Sequence, residues 1–210
     1  MIDLYTSATP NGRKVSIMLE EAALPYRVHR LDLGAGDQRR PGFLKLNPNG
    51  KIPVVHDPDT GITLAESGAI LVYLAEKTGT FLPESPAARY ETLQWLMFQM
   101  ASVGPMLGQL WWFRRSAPEE VPLAIARYEA EAHRIFGVLD GRLANRPGIA
   151  GDYGIADIAT WPWIESGRGL GLDLAPYPNL ARWHAEIGAR PAVKRGMAVP
   201  AADAPRPFAA

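Results

Sequence analysis

The sequence contains no cysteine. That absence excludes disulfide bridges, zinc sites with thiolate ligands and a cysteine nucleophile, so any thiol chemistry must use a sulfur atom that a ligand brings. The histidines, His29, His56, His133 and His184, are too far apart in the sequence to form a local metal-binding pair. We therefore predict that the protein binds no metal ion.

Long apolar runs and an excess of one charge are also missing. The longest unbroken apolar segment spans residues 69–75, far short of the ~20 residues that cross a membrane as a helix. Lysine and arginine together number 22, as do aspartate and glutamate, so no overall charge attracts nucleic acid or an anionic membrane. Asp3 and the lack of a basic N-terminal region argue against a secretory signal. These absences predict a soluble, cytoplasmic protein whose partners include neither nucleic acid nor a membrane.

Residues 1–80 alternate strand and helix patterns in the order βαβαββα. Val15, Met18, Leu19 and Ala22 recur at the i, i+3, i+4, i+7 spacing of an amphipathic helix. Short apolar segments, bounded by proline, glycine and asparagine turns, have the pattern of strands. The segment therefore predicts an α/β domain.

From residue 86 onward the strand signals stop. Long helical windows follow at residues 86–113, 118–144, 155 to about 168 and 179–188, with a kink predicted at Gly104–Pro105. A strand-bearing half followed by a helical half predicts an α/β domain at residues 1–80 and an all-α domain at residues 86–198. Residues 199–210 are rich in alanine and proline, and we expect them to form a flexible tail.

Thr9, Pro10 and Asn11 stand where the first strand passes into the first helix. Their ordinary role would be to cap that helix. Alternatively, the free N–H groups of the helix, the Thr9 hydroxyl and the Asn11 N–H or amide stabilise a ligand thiolate. Tyr5 lies inside the strand, which favours a core position, whereas Ser7 lies closer to the turn and stays open as a third donor.

The free energies of the available interactions show what such a thiolate site needs. A free thiol has a pKa of ~8.5, and lowering that pKa by about two takes roughly 2.7 kcal/mol. A helix dipole supplies ~0.3–1 kcal/mol and at most about 2. Direct charge-assisted hydrogen bonds, at roughly 1.5–3 kcal/mol each, supply the remainder.

Two further segments carry polar atoms that a ligand can use. Ile52–Pro53 either begins an edge strand in the ordinary way or contains a cis peptide bond that exposes the Ile52 backbone N–H and C=O to a ligand. Glu66 and Ser67 begin a helix, which they either cap or turn into a binding site. In that site the helix N-terminus and the Ser67 hydroxyl bind a carboxylate and Glu66 binds an ammonium group, a pair that fits the end of an α-amino acid.

These motifs, in this order and spacing and followed by an all-helical half, resemble a soluble glutathione transferase over residues 1–198. The missing cysteine agrees with this resemblance, because related thioredoxin-fold redox proteins carry their reactive cysteine where this chain has Thr9–Pro10–Asn11. The bacterial nu-class members of this family are noted for glutathione-dependent disulfide-bond reductase activity. The segments of this chain that are most similar to them are Met1–Tyr5, Thr9–Gly12, Gly34–Gln38 and Gly104–Gln109.

The resemblance implies a thioredoxin-like first domain with a four-stranded mixed sheet, a helical second domain and a homodimer. It also implies that Ile52–Pro53 is cis, that the Ile52 backbone pairs with the cysteinyl part of glutathione, and that Glu66 and Ser67 hold the γ-glutamyl end. Gln38 and Lys51 would reach other polar groups of the ligand. Arg127 would reach across the dimer to bound glutathione; the alternative is a solvated helix face.

Two segments depart from the family pattern. Trp111 and Trp112, followed by Phe113, replace a more polar stretch, and three adjacent aromatic side chains cannot share one helix face. Trp111 and Trp112 are therefore candidates for the substrate cleft, the alternative being a core or dimer contact. Gly154 stands where a Ser or Thr commonly caps the core helix, so we expect Asp157 to accept the Gly154 N–H without a reciprocal side chain.

Three functions follow as hypotheses. The leading one is a glutathione-dependent disulfide oxidoreductase, in which a glutathione thiolate stabilised by Thr9 and Asn11 attacks a small disulfide. The second is conjugation of glutathione to an apolar electrophile, which Trp111 and Trp112 favour. The third is a non-catalytic glutathione-binding dimer, which the fold alone would permit.

Overall fold

A computed structural model describes residues 1–208. The chain divides into two compact units: Met1–Thr80 together with the residues from Ala189 onward form the first, and Phe81–Gly188 form the second. Within the described residues, no helix is both long and apolar enough to cross a membrane.

The first unit has the predicted order of strands and helices, and its sheet is mixed. The sheet order is β2-β1-β3-β4, with β2 parallel to β1, β3 antiparallel to β1 and β4 antiparallel to β3. This arrangement confirms the predicted α/β fold class. The strands are β1 (Ile2–Thr6), β2 (Tyr26–Arg30), β3 (Val54–Asp57) and β4 (Ile62–Ala65), and the helices are α1 (Pro10–Glu21), α2 (Pro41–Leu44), α3 (Ser67–Thr78) and, from the C-terminal segment, α9 (Pro191–Met197).

Helix α1 shows how local sequence signals produce this fold. Thr9 caps it in an extended backbone conformation and Pro10 occupies its first position, where the missing N–H of proline costs nothing. Its apolar residues Val15, Met18 and Leu19 are buried, as the predicted amphipathic spacing requires.

Strand register brings several chain segments to one edge of the sheet. Tyr5 near the end of β1 pairs with Val54 at the start of β3, and Val54 pairs in turn with Ala65 at the end of β4. Tyr5 also pairs with His29 in the parallel strand β2. The segments that follow β1, β2 and β4, and the segment that precedes β3, therefore all leave the sheet at the same edge.

The C-terminal helix α9 belongs to the first unit, which differs from the predicted boundary of the helical domain at residue 198. It packs on α1 so closely that a Cβ atom at Gly196 would lie 2.6 Å from the Ile17 Cα. The Ser16 hydroxyl donates a hydrogen bond of 2.7 Å to the Gly196 carbonyl. A glycine at this position permits a backbone approach that no other residue allows.

Up to residue 208, the segment after α9 makes specific contacts, whereas the composition predicts a flexible tail. The Arg30 N–H donates to the Pro205 carbonyl at 2.8 Å. The Phe208 ring lies 5.9 Å from the Tyr5 ring and 5.7 Å from the Phe43 ring, centroid to centroid. Alanine and proline dominate the composition, but the few large side chains make specific contacts. Residues 209 and 210 of the predicted tail lie outside the described part of the chain.

The second unit is helical throughout residues 81–188 apart from its connections. A π-helical turn at Gln99–Val103 joins α4 and α5 directly before Gly104–Pro105, where a kink is predicted because proline lacks an N–H. Residues 155–162 at the start of α7 are all buried, so this helix forms the centre of the unit. The helices are α4 (Pro86–Phe98), α5 (Gly104–Arg115), α6 (Pro122–Leu143), α7 (Ile155–Arg168) and α8 (Pro178–Ala189).

Asp157 links the start of α7 to neighbouring segments through hydrogen bonds. Its carboxylate accepts the Gly154 N–H at 3.1 Å, as expected, and also the Ile149 N–H at 2.9 Å and the Trp183 indole N–H at 2.8 Å. Burial raises the pKa of this carboxyl to about 6, against the opposing effect of these donors. A Cβ atom at Gly154 would lie 2.7 Å from the Phe81 carbonyl, which explains why no Ser or Thr fits there.

Candidate functional site

The turn after β1 is tight and is built around glycine. The Thr9 N–H donates to the Ser7 carbonyl at 2.7 Å, and a Cβ atom at Gly12 would lie 2.3 Å from that same carbonyl oxygen. Thr9 Oγ1 accepts the Gly12 N–H at 3.2 Å. Because a hydroxyl that accepts still carries one proton to donate, Thr9 can cap α1 and donate to an anion at the same time.

Asn11 and Ser7 flank this turn and are half-buried, as is Tyr5. Asn11 lies in the first turn of α1, where the helix dipole places partial positive charge. Tyr5 stacks on His29 at a centroid distance of 4.5 Å and packs against the core cluster that contains Phe43. The expected core position of Tyr5 agrees with these contacts.

The segment before β3 carries a cis peptide bond between Ile52 and Pro53, as the family resemblance implied. The buried Asn47 holds the preceding turn, because its amide donates to the Lys51 carbonyl at 2.7 Å and its side-chain oxygen accepts the Asn49 N–H at 3.0 Å. The Lys51 side chain is exposed. The sequence indicated a turn here but not that Asn47 organises it.

Gln38 lies beside that turn, in a 3₁₀ turn at Asp37–Arg39. A Cβ atom at Gly50 would lie 3.2 Å from the Gln38 carbonyl oxygen, so the two turns are adjacent. The Gln38 amide donates to the Leu33 carbonyl at 3.3 Å. Its side-chain oxygen is buried and has no hydrogen-bond partner within residues 1–208.

Glu66 and Ser67 form the start of α3 with an unusual backbone. Glu66 has φ of 69°, a value that non-glycine residues seldom adopt and that costs of order 1–3 kcal/mol. Such conformations cluster at ligand sites. The Glu66 side chain is exposed, whereas Ser67 is buried.

Lys14 is the residue of this region that the sequence analysis missed. Its ammonium donates to the Ser67 hydroxyl at 3.2 Å, and its side chain is fully buried. Burial lowers the pKa of Lys14 to about 7, an effect that the charge of Glu66 partly offsets. The available signal was its position four residues before Met18, on the apolar face of α1.

The remaining candidates, Arg127, Trp111 and Trp112, lie in the second unit. Arg127 is exposed on α6, and its charge helps to lower the pKa of Glu131, an effect to which Arg134 contributes most. The Trp111 and Trp112 side chains on α5 are 47% and 43% exposed. Neither belongs to the core of the second unit, so the alternative of a core contact does not hold for them.

Comparison with known proteins identifies this arrangement. Residues 8–77 match the sequence profile of the glutathione S-transferase N-terminal domain, and residues 122–186 match that of the C-terminal domain. The chain is 49% identical over 203 residues to the disulfide-bond oxidoreductase YfcG of Escherichia coli, covering 94% of both proteins. The chain belongs to the glutathione S-transferase family.

Solved structures agree with the assignment of this chain to the glutathione S-transferase family. One is a glutathione transferase from Burkholderia graminis, crystallised with two glutathione molecules per subunit. It is 47% identical with a TM-score of 0.90, and the match covers 96% of this chain and 89% of the Burkholderia chain. A glutathione transferase from Pseudomonas putida, crystallised with one glutathione disulfide per subunit, is 44% identical with a TM-score of 0.89 and coverage of 95% and 91%. The predicted membership of this family is confirmed.

Proposed function

We propose that this glutathione S-transferase reduces small disulfides with glutathione. One observation carries the proposal: in a chain without cysteine, the segments containing Thr9 and Asn11, Ile52–Pro53, and Glu66 and Ser67 leave the sheet at one edge. The 49% identical Escherichia coli relative named a disulfide-bond oxidoreductase supports this choice of reaction.

The polar groups at this edge fit glutathione. A carboxylate of the γ-glutamyl end suits the N-terminus of α3 and the buried Ser67 hydroxyl, and the exposed Glu66 carboxylate suits its ammonium group. The buried Gln38 oxygen, which lacks a hydrogen-bond partner among the described residues, suits an N–H donor of the ligand. Ile52 offers its backbone to the cysteinyl part, and Lys51 and Pro53 complete the site at that turn.

Bound glutathione supplies a thiolate that attacks one sulfur of the substrate disulfide and expels the other as a thiolate, and a second glutathione then resolves the mixed disulfide to yield glutathione disulfide. The protein contributes position and charge stabilisation. The Thr9 hydroxyl and Asn11 donate to the sulfur and keep it ionised, and Ser7 is the alternative donor at the same turn.

We further propose a cytoplasmic homodimer in which Arg127 reaches the glutathione of the partner subunit. The exposed position of Arg127 on α6 supports this role. Light scattering tests the dimer, and the affinity of the Arg127→Ala variant for glutathione tests the contact.

A second candidate function is conjugation of glutathione to an apolar electrophile, which the exposed Trp111 and Trp112 favour. Two assays on the purified protein separate the functions: reduction of a hydroxyalkyl disulfide with glutathione and conjugation of a chloronitrobenzene. We expect faster disulfide reduction. Conjugation alone would support the second candidate, and retention on immobilised glutathione without turnover in either assay would indicate a non-catalytic binding protein.

A further inference from the structure

Lys14 and Ser67 form a buried polar pair between α1 and α3. Lys14 is 1% exposed and Ser67 is 3% exposed, and 3.2 Å separates Lys14 Nζ from Ser67 Oγ. Lysine is almost never fully buried unless it is paired, because burial of an ammonium costs several kcal/mol in real proteins. A buried lysine one helical turn after Asn11 therefore needs an explanation beyond packing.

The chemistry of the two groups fixes the direction of their hydrogen bond. An ammonium has donors only, whereas a hydroxyl has one donor and two acceptor positions. When Lys14 is charged, Ser67 Oγ must accept from it and turn its own proton away. When Lys14 is neutral, its amine lone pair can accept the Ser67 proton. Within this pair, a charged Lys14 thus favours the orientation in which the Ser67 hydroxyl proton faces the N-terminus of α3.

We propose that Lys14 is a positioning residue of the glutathione site, which orients the Ser67 hydroxyl toward the γ-glutamyl carboxylate and takes up a proton when that carboxylate binds. This inference rests on the proposed function. It adds a residue that acts on the ligand through Ser67 rather than by direct contact.

The charges around Lys14 make this proton uptake possible. Glu66, beside Ser67, is the charged group that favours the protonated form, and burial opposes it and lowers the pKa of Lys14 to about 7. Other charged groups on α1, α3 and α9 are engaged in the pairs Arg195–Glu20, Arg190–Glu21 and Lys77–Asp57. The remaining charged side chains on these helices are Arg13, Glu76 and Lys194.

In the proposed site the ligand carboxylate lies at Ser67, next to Lys14, whereas the ligand ammonium pairs with the exposed Glu66. The nearer negative charge raises the pKa of Lys14. Much of Lys14 is neutral at pH 8 before the ligand binds, so binding at that pH takes up a proton. At pH 6 Lys14 already carries its charge, and binding takes up little. The affinity for the carboxylate therefore falls as the pH rises above about 7.

Calorimetry with S-methylglutathione tests the proposal, because this ligand has no free thiol to release a proton. Titrations in two buffers of different ionisation enthalpy give the number of protons taken up. For the wild type we expect a clear fraction of a proton at pH 8 and close to none at pH 6. For Lys14→Met we expect no Lys14-dependent uptake and, at pH 6, roughly 10- to 100-fold weaker binding, the loss typical of a charged hydrogen bond.

Two further variants sharpen this result. Lys14→Arg keeps a permanent positive charge, so it should restore affinity and abolish the pH dependence. Lys194→Met removes an exposed lysine on α9 and should match the wild type in both affinity and proton uptake.

The wild type alone also gives a direct measurement, whatever the stability of the variants. In protein labelled with ¹³C at lysine Cε, the Lys14 resonance should titrate near pH 7 without ligand and at a higher pH with saturating S-methylglutathione. An unchanged midpoint with ligand bound would overturn the role of Lys14 and leave the proposed function intact. Failure of S-methylglutathione to bind the wild type would instead overturn the glutathione site itself, and the inference with it.

Discussion

Arg206 holds Asp37 in a two-pronged ion pair. Arg206 Nη2 donates to Asp37 Oδ1 at 3.2 Å and to Oδ2 at 3.0 Å, and Arg206 Nε donates to Oδ2 at 3.2 Å. Asp37 is 1% exposed and Arg206 is 31% exposed in their side chains. The buried carboxylate also accepts the Asp32 N–H at 2.8 Å. The C-terminal segment is thereby fixed to the loop that carries Gln38.

Replacement of Arg206 by alanine should destabilise the protein. The change leaves the buried Asp37 carboxylate without its cation, and we expect a loss of about 1–3 kcal/mol in the free energy of unfolding, below the value for a fully buried pair because Arg206 is partly exposed. Urea denaturation followed by circular dichroism measures the loss. Arg134→Ala removes an exposed arginine that pairs with Glu131 on α6 and should leave stability unchanged. Equal stability of the two variants would contradict the structural role of Arg206.

A methyl group at Gly196 should separate α9 from α1. In Gly196→Ala the new Cβ would lie 2.6–2.8 Å from Ile17 atoms, two of them backbone, so we expect overpacking to cost about 1–3 kcal/mol or more. Gly137→Ala is the matched control, because Gly137 lies within α6 and a Cβ there meets nothing within 4 Å. That variant should be neutral or more stable by up to about 1 kcal/mol, since alanine favours a helix. Thermal unfolding should rank Gly137→Ala above Gly196→Ala, and the reverse order would refute the close contact.

Asp157 should make stability depend on pH. Its pKa in the folded protein is about 6, above the ordinary 3.8, so the folded protein binds more protons than the unfolded chain between these values. The stabilisation from this group is therefore complete below about pH 4 and is lost as the pH rises through about 6.

The Asp157→Asn variant tests that dependence. It cannot titrate, and its amide turns an N–H toward the Gly154 N–H, so we expect it to be less stable by about 1–3 kcal/mol. Urea denaturation at pH 4 and pH 7 should show a larger deficit at pH 4. Asp152→Asn, at an exposed position before α7, serves as the control. A deficit that grows with pH would show that the assigned direction of the pKa shift is wrong.

Joint replacement of Thr9 and Asn11 by alanine should slow disulfide reduction. Each lost donor to the thiolate costs roughly tenfold or more, so kcat/KM should fall by roughly a hundredfold. The pH at which the bound thiol ionises should move up toward the ~8.5 of a free thiol. Thr9→Ser keeps the hydroxyl and the helix cap, and should retain most of the activity.

Stability has to be measured beside this activity, because Thr9→Ala also removes the cap of α1 at a cost of about 1 kcal/mol. A double variant that is folded and reduces the disulfide at the wild-type rate would exclude Thr9 and Asn11 as the donors. Ser7→Ala would then be the next variant to measure.

Local signals explain why much of the fold could be predicted from the sequence. Periodicity and capping residues gave α7 the range that the structure shows, Ile155–Arg168, and turn residues separated the strands of the first unit. The predicted start of α6 at Pro118 is wrong, since the helix begins at Pro122; both prolines suit the first position of a helix.

Contacts between distant residues explain what could not be predicted. The packing of α9 on α1 depends on the contact between Gly196 and Ile17, which are far apart in the sequence. The periodicity of the sequence does not predict such a contact. Arg206 and Phe208 were hidden in a segment whose average composition indicates disorder. Lys14 was overlooked because a charged residue is normally assigned to the exposed face of a helix, and only the structure shows the Ser67 hydroxyl opposite it.

The first unit is assembled from two stretches of chain separated by the whole of the second. During synthesis, the ribosome must therefore release almost the entire polypeptide before Gly196 can reach Ile17 and Arg206 can reach Asp37. Until then, the α1 face that receives α9 remains uncovered. A nascent chain stalled before residue 189 would therefore leave this surface of α1 exposed to solvent.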